Sequence, residues 1–227
     1  MEKYFDDVLK QEIVERMRTR MQGDRSEGVH LSDLLLCLNR PYFKKDIEEQ
    51  LTDQQVLLFS MGRAIQDWLT GVADDADEVQ IDGVWMTPDY VQSTNPWECK
   101  LTYMSDNKDT PEHWLRQMKS YCRALGVNTF SCVRLGIMGD WSWVYKRKGV
   151  VANDEHPVLT PLTYTFTDEE LEENWDWVVR RKEMLEMAID AGTPPSLLFA
   201  DYMGLEDAKW RCKNCGVAVL CPATLKI

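Results

Sequence analysis

The sequence predicts an α/β or α+β domain in which a small mixed sheet is flanked by helices. Three observations support this fold class. Apolar residues at helical spacing fill the N-terminal part of the chain. Short apolar runs separated by turn residues, which are typical of strands, occupy much of the middle. Two further helices with clear capping signals alternate with the strands, an order that indicates helices packed on a mixed sheet.

Three helices are predicted in the N-terminal part. Apolar residues recur at helical spacing over residues 3–22 and again over residues 53–70. A short helix over residues 33–38 should begin after Ser32 and end before Pro41, because proline disfavours helical backbone in the preceding residue. The inward face of the third helix is predicted to comprise Leu57, Leu58, Met61, Ile65, Trp68 and Leu69.

The middle of the chain changes to strand patterns. Apolar runs over residues 79–81 and 84–86 flank Asp82 and Gly83, and Asp-Gly is among the strongest short hairpin signals. Later strands are predicted over residues 97–103, 129–138 and 141–146.

Two helices in the second half have recognisable ends. Thr110 is a helix cap, and Pro111 suits the first helical position, where its missing N–H needs no acceptor. Gly126 ends this helix. Thr167 begins a capping box, and the helix that follows is predicted to continue as far as Gly192.

The composition is that of an ordinary globular protein of 227 residues, with 44% hydrophobic and 28% charged residues. No apolar run approaches the roughly 18 residues that cross a bilayer, so no membrane partner is expected. The charged N-terminus lacks the apolar core of a secretory signal, which predicts a cytoplasmic protein. In a reducing cytoplasm the seven cysteines should bind metal or pack in the core, and not form disulfides.

The formal net charge of −12 argues against a nucleic-acid partner, because phosphate binding requires a basic surface. Binding depends on the local field, however, and basic residues are clustered in short runs. Solvated surface is the alternative interpretation of each run. The runs are Lys44 with Lys45, Arg116 with Lys119, residues 146–148 and residues 180–182.

A carboxylate and a lysine lie two residues apart on the third predicted strand. Residues i and i+2 of a strand face the same side, so Glu98 and Lys100 should point together, with Cys99 behind them. Asp89 ends the neighbouring strand, and a turn over residues 92–96 would bring it beside Glu98. Two adjacent carboxylates need a cation between them, and hard oxygen ligands favour Mg²⁺ or Mn²⁺.

Such a cation polarises a phosphodiester and lowers the pKa of its bound water. Lys100 could then orient that water or offset charge on the phosphate. Asp82 competes with Asp89 for the second carboxylate position, but its Asp-Gly turn favours a structural role in the hairpin. An ordinary ion pair between Glu98 and Lys100 on an exposed strand is the alternative to an active site.

This stretch resembles the signature of the PD-(D/E)XK nucleases, in which a Pro-Asp pair and a short turn precede a Glu-x-Lys triplet. Pro88 and Asp89, then Glu98 and Lys100, carry the resemblance. It implies a restriction-endonuclease-like core in which Asp89, Glu98 and the backbone carbonyl of Cys99 bind the catalytic metal ion.

Two helical motifs extend the resemblance to RecB-like members of that family. Gln117 and Tyr121 match the Q-x-x-x-Y motif, and their i, i+4 spacing lets both lean toward the metal site and the DNA backbone. Gly62 begins a G-x-x-x-H motif in which Gln66 replaces the metal-binding histidine. A carboxamide oxygen can also bind Mg²⁺ or Mn²⁺, and simple helix packing is the alternative for Gln66. His30 is another histidine upstream, but the motif does not point to it.

Four cysteines form a spaced set. Cys212, Cys215 and Cys221 make a C-x-x-C-x5-C tail, and Cys37 lies far upstream. This arrangement resembles the iron–sulfur site of RecB-like exonucleases, including the CRISPR-associated exonuclease family and the AddB-type helicase–nucleases. It implies a [4Fe–4S] cluster that clasps the two ends of the chain. The same thiolates could instead build a zinc site. The other cysteines are interpreted as core thiols: Cys99, Cys122 and Cys132.

The resemblance implies one compact unit with three regions. Residues 1–72 would be helical and carry the first cluster cysteine, residues 73–200 would form the nuclease core, and residues 201–227 would form the cysteine-rich tail. The implied activity is a metal-dependent exonuclease on DNA ends, expected to be single-stranded, in recombination or repair, phage replication or CRISPR adaptation. A helicase, a recombinase or a CRISPR integrase would then be its protein partner.

Two other classes of function stay open. A nuclease-fold subunit that binds DNA or serves as a scaffold without catalysis is favoured by Gln66 and by the acidic charge. The intact set of Asp89, Glu98, Lys100 and the Q-x-x-x-Y pair opposes it. An interaction module stabilised by zinc on the four cysteines is the third possibility.

Overall fold

The structure is a computed structural model that describes residues 6–21, 26–46, 51–71, 78–91, 95–102, 109–136, 158–195, 212 and 215–221. Its elements are α1 (Asp7–Met21), β1 (Val29–His30), α2 (Leu31–Leu34), α3 (Asn39–Lys44), α4 (Asp53–Thr70), β2 (Val79–Ile81), β3 (Val84–Met86), β4 (Trp97–Thr102), α5 (Glu112–Leu125), β5 (Thr129–Gly136), β6 (Val158–Thr165) and α6 (Asp168–Asp190).

Two small mixed sheets form the centre of the fold. In the first, β3 pairs in parallel with β1 and antiparallel with β2. In the second, β5 pairs in parallel with β4 and antiparallel with β6. An antiparallel bridge between Tyr90 and Trp97 joins the chain leaving β3 to the start of β4. The predicted mixed α/β architecture is confirmed, and β1 shows that the N-terminal region contributes to it.

The β2–β3 hairpin has the predicted Asp-Gly turn. Asp82 and Gly83 have φ values of 49° and 74°, and positive φ at both central residues is what a type I′ turn requires. The Asp82 carboxylate accepts a hydrogen bond of 2.8 Å from Nε1 of Trp175 on α6. Asp82 is therefore a structural residue of the hairpin, as predicted.

One continuous hydrophobic cluster connects both sheets to α2, α5 and α6. Three of its side chains are fully buried: Phe130 and Cys132 of β5 and Cys122 of α5. Cys122 and Cys132 are therefore core thiols, as predicted. Helix α6 begins at the predicted capping box, where the Thr167 hydroxyl accepts from the Glu170 N–H at 3.2 Å. None of the helices in the described part is both long and apolar enough to span a membrane.

The predicted inward face of α4 is wrong for four of its six residues, while Ile65 and Leu69 are partly buried. Leu57, Leu58 and Met61 are 40%, 38% and 47% exposed, and Trp68 is 80% exposed. Val56 is the residue of this helix that is fully buried. The helix packs against α1 and β4. Only a narrow part of its surface is covered by these elements, and the other apolar residues lie on its exposed side. Helical spacing shows which residues share a face, but not which face is covered.

Two predicted helix boundaries also differ, and one strand was missed. Pro41 lies in the first turn of α3, where a missing N–H breaks no helical bond, so the short predicted helix is instead two, α2 and α3. Helix α5 begins one residue later than predicted, with Pro111 in the cap position. Strand β6 was not predicted, and its Pro161 is tolerated because β6 lies at a sheet edge. The predicted strand over residues 141–146 lies outside the described residues.

Candidate active site

The two carboxylates of the predicted metal site lie side by side. Backbone bonds of 3.1 and 3.0 Å between Tyr90 and Trp97 hold the end of the first sheet against β4. This bridge places Asp89 beside Glu98, and the Asp89 N–H donates to Oε2 of Glu98 at 3.4 Å. Glu98 is 5% exposed. The predicted proximity of Asp89 and Glu98 is therefore present in the fold.

Asp89 is held by two further donors. The backbone N–H of Cys99 donates to Oδ2 at 2.7 Å, and Nε2 of Gln66 donates to Oδ1 at 2.7 Å. Helix α4 therefore brings Gln66 into direct contact with Asp89. In this arrangement the amide group gives Asp89 a hydrogen-bond donor.

Lys100 joins β4 to α5. Its Nζ donates to Oε1 of Glu98 at 2.7 Å and to Oε1 of Gln117 at 2.8 Å. Glu98 and Lys100 share one side of the strand, as the two-residue period predicts. The ion pair is buried, with side-chain exposures of 18% for Lys100 and 7% for Glu98.

The Q-x-x-x-Y pair completes the cluster from α5. Nε2 of Gln117 donates to Oε1 of Glu98 at 3.0 Å and to the Tyr121 hydroxyl at 2.7 Å. The Tyr121 hydroxyl in turn donates to the carbonyl of Thr87 at 3.3 Å. Gln117 and Tyr121 share a helix face, so one helix supports both the carboxylate and the lysine.

Burial and repulsion make Asp89 an unusual acid. Burial, followed by the neighbouring charge of Glu98, raises the pKa of Asp89 to about 8. The Cys99 N–H, Lys100 and Arg63 oppose this rise without cancelling it. A carboxylate pair whose repulsion is incompletely offset by nearby cations is a site that a divalent cation would stabilise.

Lys100, Tyr121 and Cys99 keep their ordinary protonation states. Burial tends to lower the pKa of Lys100, but Glu98 outweighs it and the net shift is upward, so the ammonium group stays charged. Burial raises the pKa of Tyr121 well above its usual value, so the hydroxyl remains a donor. Burial, with Asp89 and Glu98, raises the pKa of Cys99 to about 12 and keeps that thiol neutral.

We expect metal-free protein to lose stability as the pH rises. The pKa of Asp89 is raised on folding, so protonated Asp89 contributes to the stability of the folded state. This contribution is fully present below about pH 4 and is lost as the pH rises through about 8. The melting temperature in EDTA should therefore fall more steeply with pH for wild type than for Asp89→Asn. Equal slopes for the two proteins would contradict the assigned repulsion.

The donor set fits a hard divalent cation. Asp89 and Glu98 supply carboxylate oxygens, and Gln66 could supply an amide oxygen after rotation of its side-chain amide. Among the described residues no three side chains of His, Cys, Asp or Glu form a metal-binding group. Any cation here would therefore depend on amide, backbone or water oxygens in addition to the two carboxylates.

Cys212 is close enough to the other three predicted cluster cysteines to be affected by their charges. Burial raises the pKa of Cys212, and the neighbouring Cys37, Cys215 and Cys221 raise it further. Cys37 lies between α2 and α3, so Cys212 is near the N-terminal region at this point. The thiols are free, and they do not form a metal-binding group within the described residues.

His30 lies outside this site. Its Nε2 contacts the Ser26 carbonyl oxygen at 2.8 Å, and its backbone N–H donates to Asp33 at 3.3 Å as the cap of α2. It is a buried structural residue, in agreement with the motif, which points to position 66.

Two residues near the site were not predicted. Arg63, one turn before Gln66, lowers the pKa of Asp89. Trp114, three residues before Gln117, has its ring centroid 5.8 Å from Nζ of Lys100. Helical spacing from the motif residues was the sequence signal that could have identified both.

No family model matches the chain, and no curated protein matches it. The crystal structure of SSO0001 is similar over 97% of this chain and 98% of that chain, with a TM-score of 0.57 and 17% identity. An alkaline exonuclease from Laribacter hongkongensis gives a TM-score of 0.46 at 15% identity, over 78% of this chain and 95% of that one. A phage-related exonuclease from Haemophilus somnus 129PT gives 0.39 at 11%, over 83% and 85%. The chain thus shares its fold with SSO0001 over nearly the full length of both.

Proposed function

We propose that this protein is a Mg²⁺- or Mn²⁺-dependent DNA exonuclease that acts on single-stranded ends. One observation carries the proposal. Residues from α4, from the segment after β3, from β4 and from α5 converge in a single hydrogen-bonded cluster, although they are scattered along the chain. The cluster comprises Gln66, Asp89, Glu98, Lys100, Gln117 and Tyr121.

The cation would be held by Asp89, Glu98, the amide oxygen of Gln66 and the backbone carbonyl of Cys99. When bound, it supplies Lewis-acid polarisation of the phosphodiester and a more acidic water. The chain's contribution is to hold both carboxylates side by side, where a bound cation would favour the ionised form of Asp89, whose pKa is otherwise raised to about 8. The Cys99 N–H and the Lys100 ammonium stabilise their charges before substrate arrives.

Lys100 would stabilise charge on the scissile phosphate or orient the attacking water. Gln117 would position it, because the amide oxygen accepts from Lys100 while the amide nitrogen donates to Glu98. Tyr121 would fix Gln117 from behind through its hydroxyl. This linkage prevents Lys100 and Glu98 from rotating independently, which is the preorganisation that phosphoryl-transfer sites need.

The four cysteines would form a second, structural centre in this proposal. Thiolates of Cys37, Cys212, Cys215 and Cys221 would bind a [4Fe–4S] cluster that fastens the C-terminal tail to the turn after α2. The proximity of Cys212 to the other three supports a shared ligand. Zinc is the alternative occupant of the same thiolates.

Cleavage of end-labelled DNA tests the proposed function. Wild type should shorten single-stranded DNA in Mn²⁺ and leave it intact in EDTA. Lys100→Ala should lose this activity. Because it also leaves the buried Glu98 without its 2.7 Å partner and lowers stability, circular dichroism at the assay temperature checks that the variant is folded. Absence of metal-dependent cleavage by correctly folded, metal-loaded wild type on single- and double-stranded ends would contradict the proposal.

The nuclease would act in recombination or repair, phage replication or CRISPR adaptation, beside a helicase, recombinase or integrase. A second candidate is a DNA-binding or scaffolding subunit without catalysis. It is favoured by Gln66, whose amide donates to Asp89 where a metal ligand would offer a lone pair, and by the net charge of −12. The cleavage assay separates the two candidates.

Gln66→His tests the ligand position. An imidazole there would restore the ligand implied by the family resemblance, and α4 already carries this side chain to Asp89. We expect equal or higher activity than wild type at limiting Mn²⁺, measured as initial rate against Mn²⁺ concentration. A folded Gln66→His protein that no longer binds Mn²⁺ would show that the histidine ligand position of the resembled family does not carry over to residue 66.

A further inference from the structure

Trp114 lies at the outer end of the helix face that carries the site residues. Positions 114, 117 and 121 of α5 recur at i, i+3 and i+7, so their side chains share one face. Burial decreases along this face, from Tyr121 at 4% exposure to the partly buried Gln117 and Trp114. The face thus runs from the core, through the proposed active site, to a tryptophan at the first turn of the helix.

The indole ring is close to the proposed phosphate-contacting group. Its centroid is 5.8 Å from Nζ of Lys100, within cation–π distance. The His113 ring packs edge-on against it, with centroids 5.9 Å apart and an interplanar angle of 68°. Lys100 also donates to Glu98 and Gln117. Trp114 packs against the hydrophobic core and is only partly buried, so part of its ring is exposed beside Lys100.

We propose that Trp114 stacks on the base of a nucleotide next to the scissile phosphate, and so selects unpaired ends. The inference rests on the proposed function and adds the origin of its strand preference. An aromatic ring beside a cation is the combination that binds single-stranded nucleic acid, where the base stacks and the phosphate pairs with the charge. Every base has a π face, so the contact tolerates any sequence.

Strand preference follows from the geometry of stacking. A base inside a duplex already stacks on both neighbours and pairs across the helix, so it has no free face for Trp114. An unpaired terminal base has one. Duplex ends would therefore bind less tightly than single strands, by an amount that depends on the indole ring.

A cycle of protein and DNA changes tests the proposal. Wild type, Trp114→Ala and Trp114→Phe are compared on single-stranded oligonucleotides carrying one abasic site at successive positions from the end. Binding is followed by fluorescence anisotropy in Ca²⁺, and cleavage in Mn²⁺. Trp177→Ala is the matched control, because Trp177 is also partly buried and packs on arginine, with Arg116 4.1 Å from its ring.

We expect Trp114→Ala to weaken binding of intact single strands by about 5- to 150-fold, the range for one lost base–aromatic stack. Trp114→Phe should recover most of this loss, and Trp177→Ala should bind as wild type does. With the abasic site at the stacked position, wild type and Trp114→Ala should bind equally. The preference for single strands over blunt duplexes should shrink in Trp114→Ala by the same factor.

The outcomes separate this inference from the proposed function. Equal losses for Trp114→Ala on intact and abasic DNA at every position would show a merely structural tryptophan and overturn the inference, while wild-type cleavage would leave the function standing. Coupling to one abasic position in a wild type that never cleaves would support the stacking site and overturn the nuclease.

Discussion

Asp89→Asn and Glu98→Ala should each reduce Mn²⁺-dependent cleavage to background, but they should affect folding in opposite directions. Asp89→Asn removes a buried charge that Glu98 repels, so the metal-free variant should melt at or above the wild-type temperature at pH 8. Glu98→Ala leaves Lys100 buried without its 2.7 Å partner, and removing one member of a buried pair costs about 3–5 kcal/mol.

Cleavage and calorimetric melting of the same preparations measure both effects. Glu186→Ala is the control, because it breaks a Lys–Glu pair of the same 2.7 Å length, between Lys182 and the more exposed Glu186 on α6. It should keep activity and lose little stability, since exposed pairs contribute about 0–1 kcal/mol. Wild-type cleavage rates in both site variants would show that the active site lies elsewhere.

Cys37→Ser and Cys215→Ser should unfold much of the protein. A metal centre joining residue 37 to the tail closes a very long loop, and the entropy removed from the unfolded chain grows with loop length. By analogy with disulfides this is worth roughly 4–5 kcal/mol, a large part of the roughly 5–15 kcal/mol that stabilises a typical domain. Both variants should be poorly soluble, and their loss of cleavage should be secondary to unfolding.

Metal content and colour identify the centre. Anaerobically purified wild type should be brown and contain iron, as thiolate–iron charge transfer requires. Cys122→Ala, which alters a buried thiol outside the four, should keep the iron. Colourless wild type with stoichiometric zinc would show that the centre is a zinc site and not an iron–sulfur cluster. The link between residue 37 and the tail would still stand. A stable, active Cys215→Ser protein would contradict the clasp itself.

The site was more predictable from the sequence than the packing around it. Glu98 and Lys100 sit on one strand, and the period of two fixes their common side whatever the rest of the fold does. Gln117 and Tyr121 are likewise related by one turn of helix. The Asp89 contact needed one more step, the Tyr90–Trp97 bridge, which the Pro-Asp and turn spacing anticipated.

The long-range features were less accessible. Which side of α4 is covered depends on where α1 and β4 lie, and no local pattern contains that information. Trp114 approaches Lys100 because β4 and α5 are brought together by the parallel pairing of β4 with β5. Strand β1 has only two residues, which is too short to produce a periodic pattern in the sequence, although it joins the N-terminal region to the first sheet.

Titration of Mn²⁺ into metal-free protein, followed by electron paramagnetic resonance, tests the central claim most directly, because it asks whether the carboxylate pair binds a cation. Wild type should bind Mn²⁺ at a site that Asp89→Asn weakens at least tenfold and that Mg²⁺ displaces. Glu186→Ala should bind as wild type does. Equal Mn²⁺ affinity and stoichiometry in wild type and Asp89→Asn would contradict a catalytic metal site at Asp89 and Glu98.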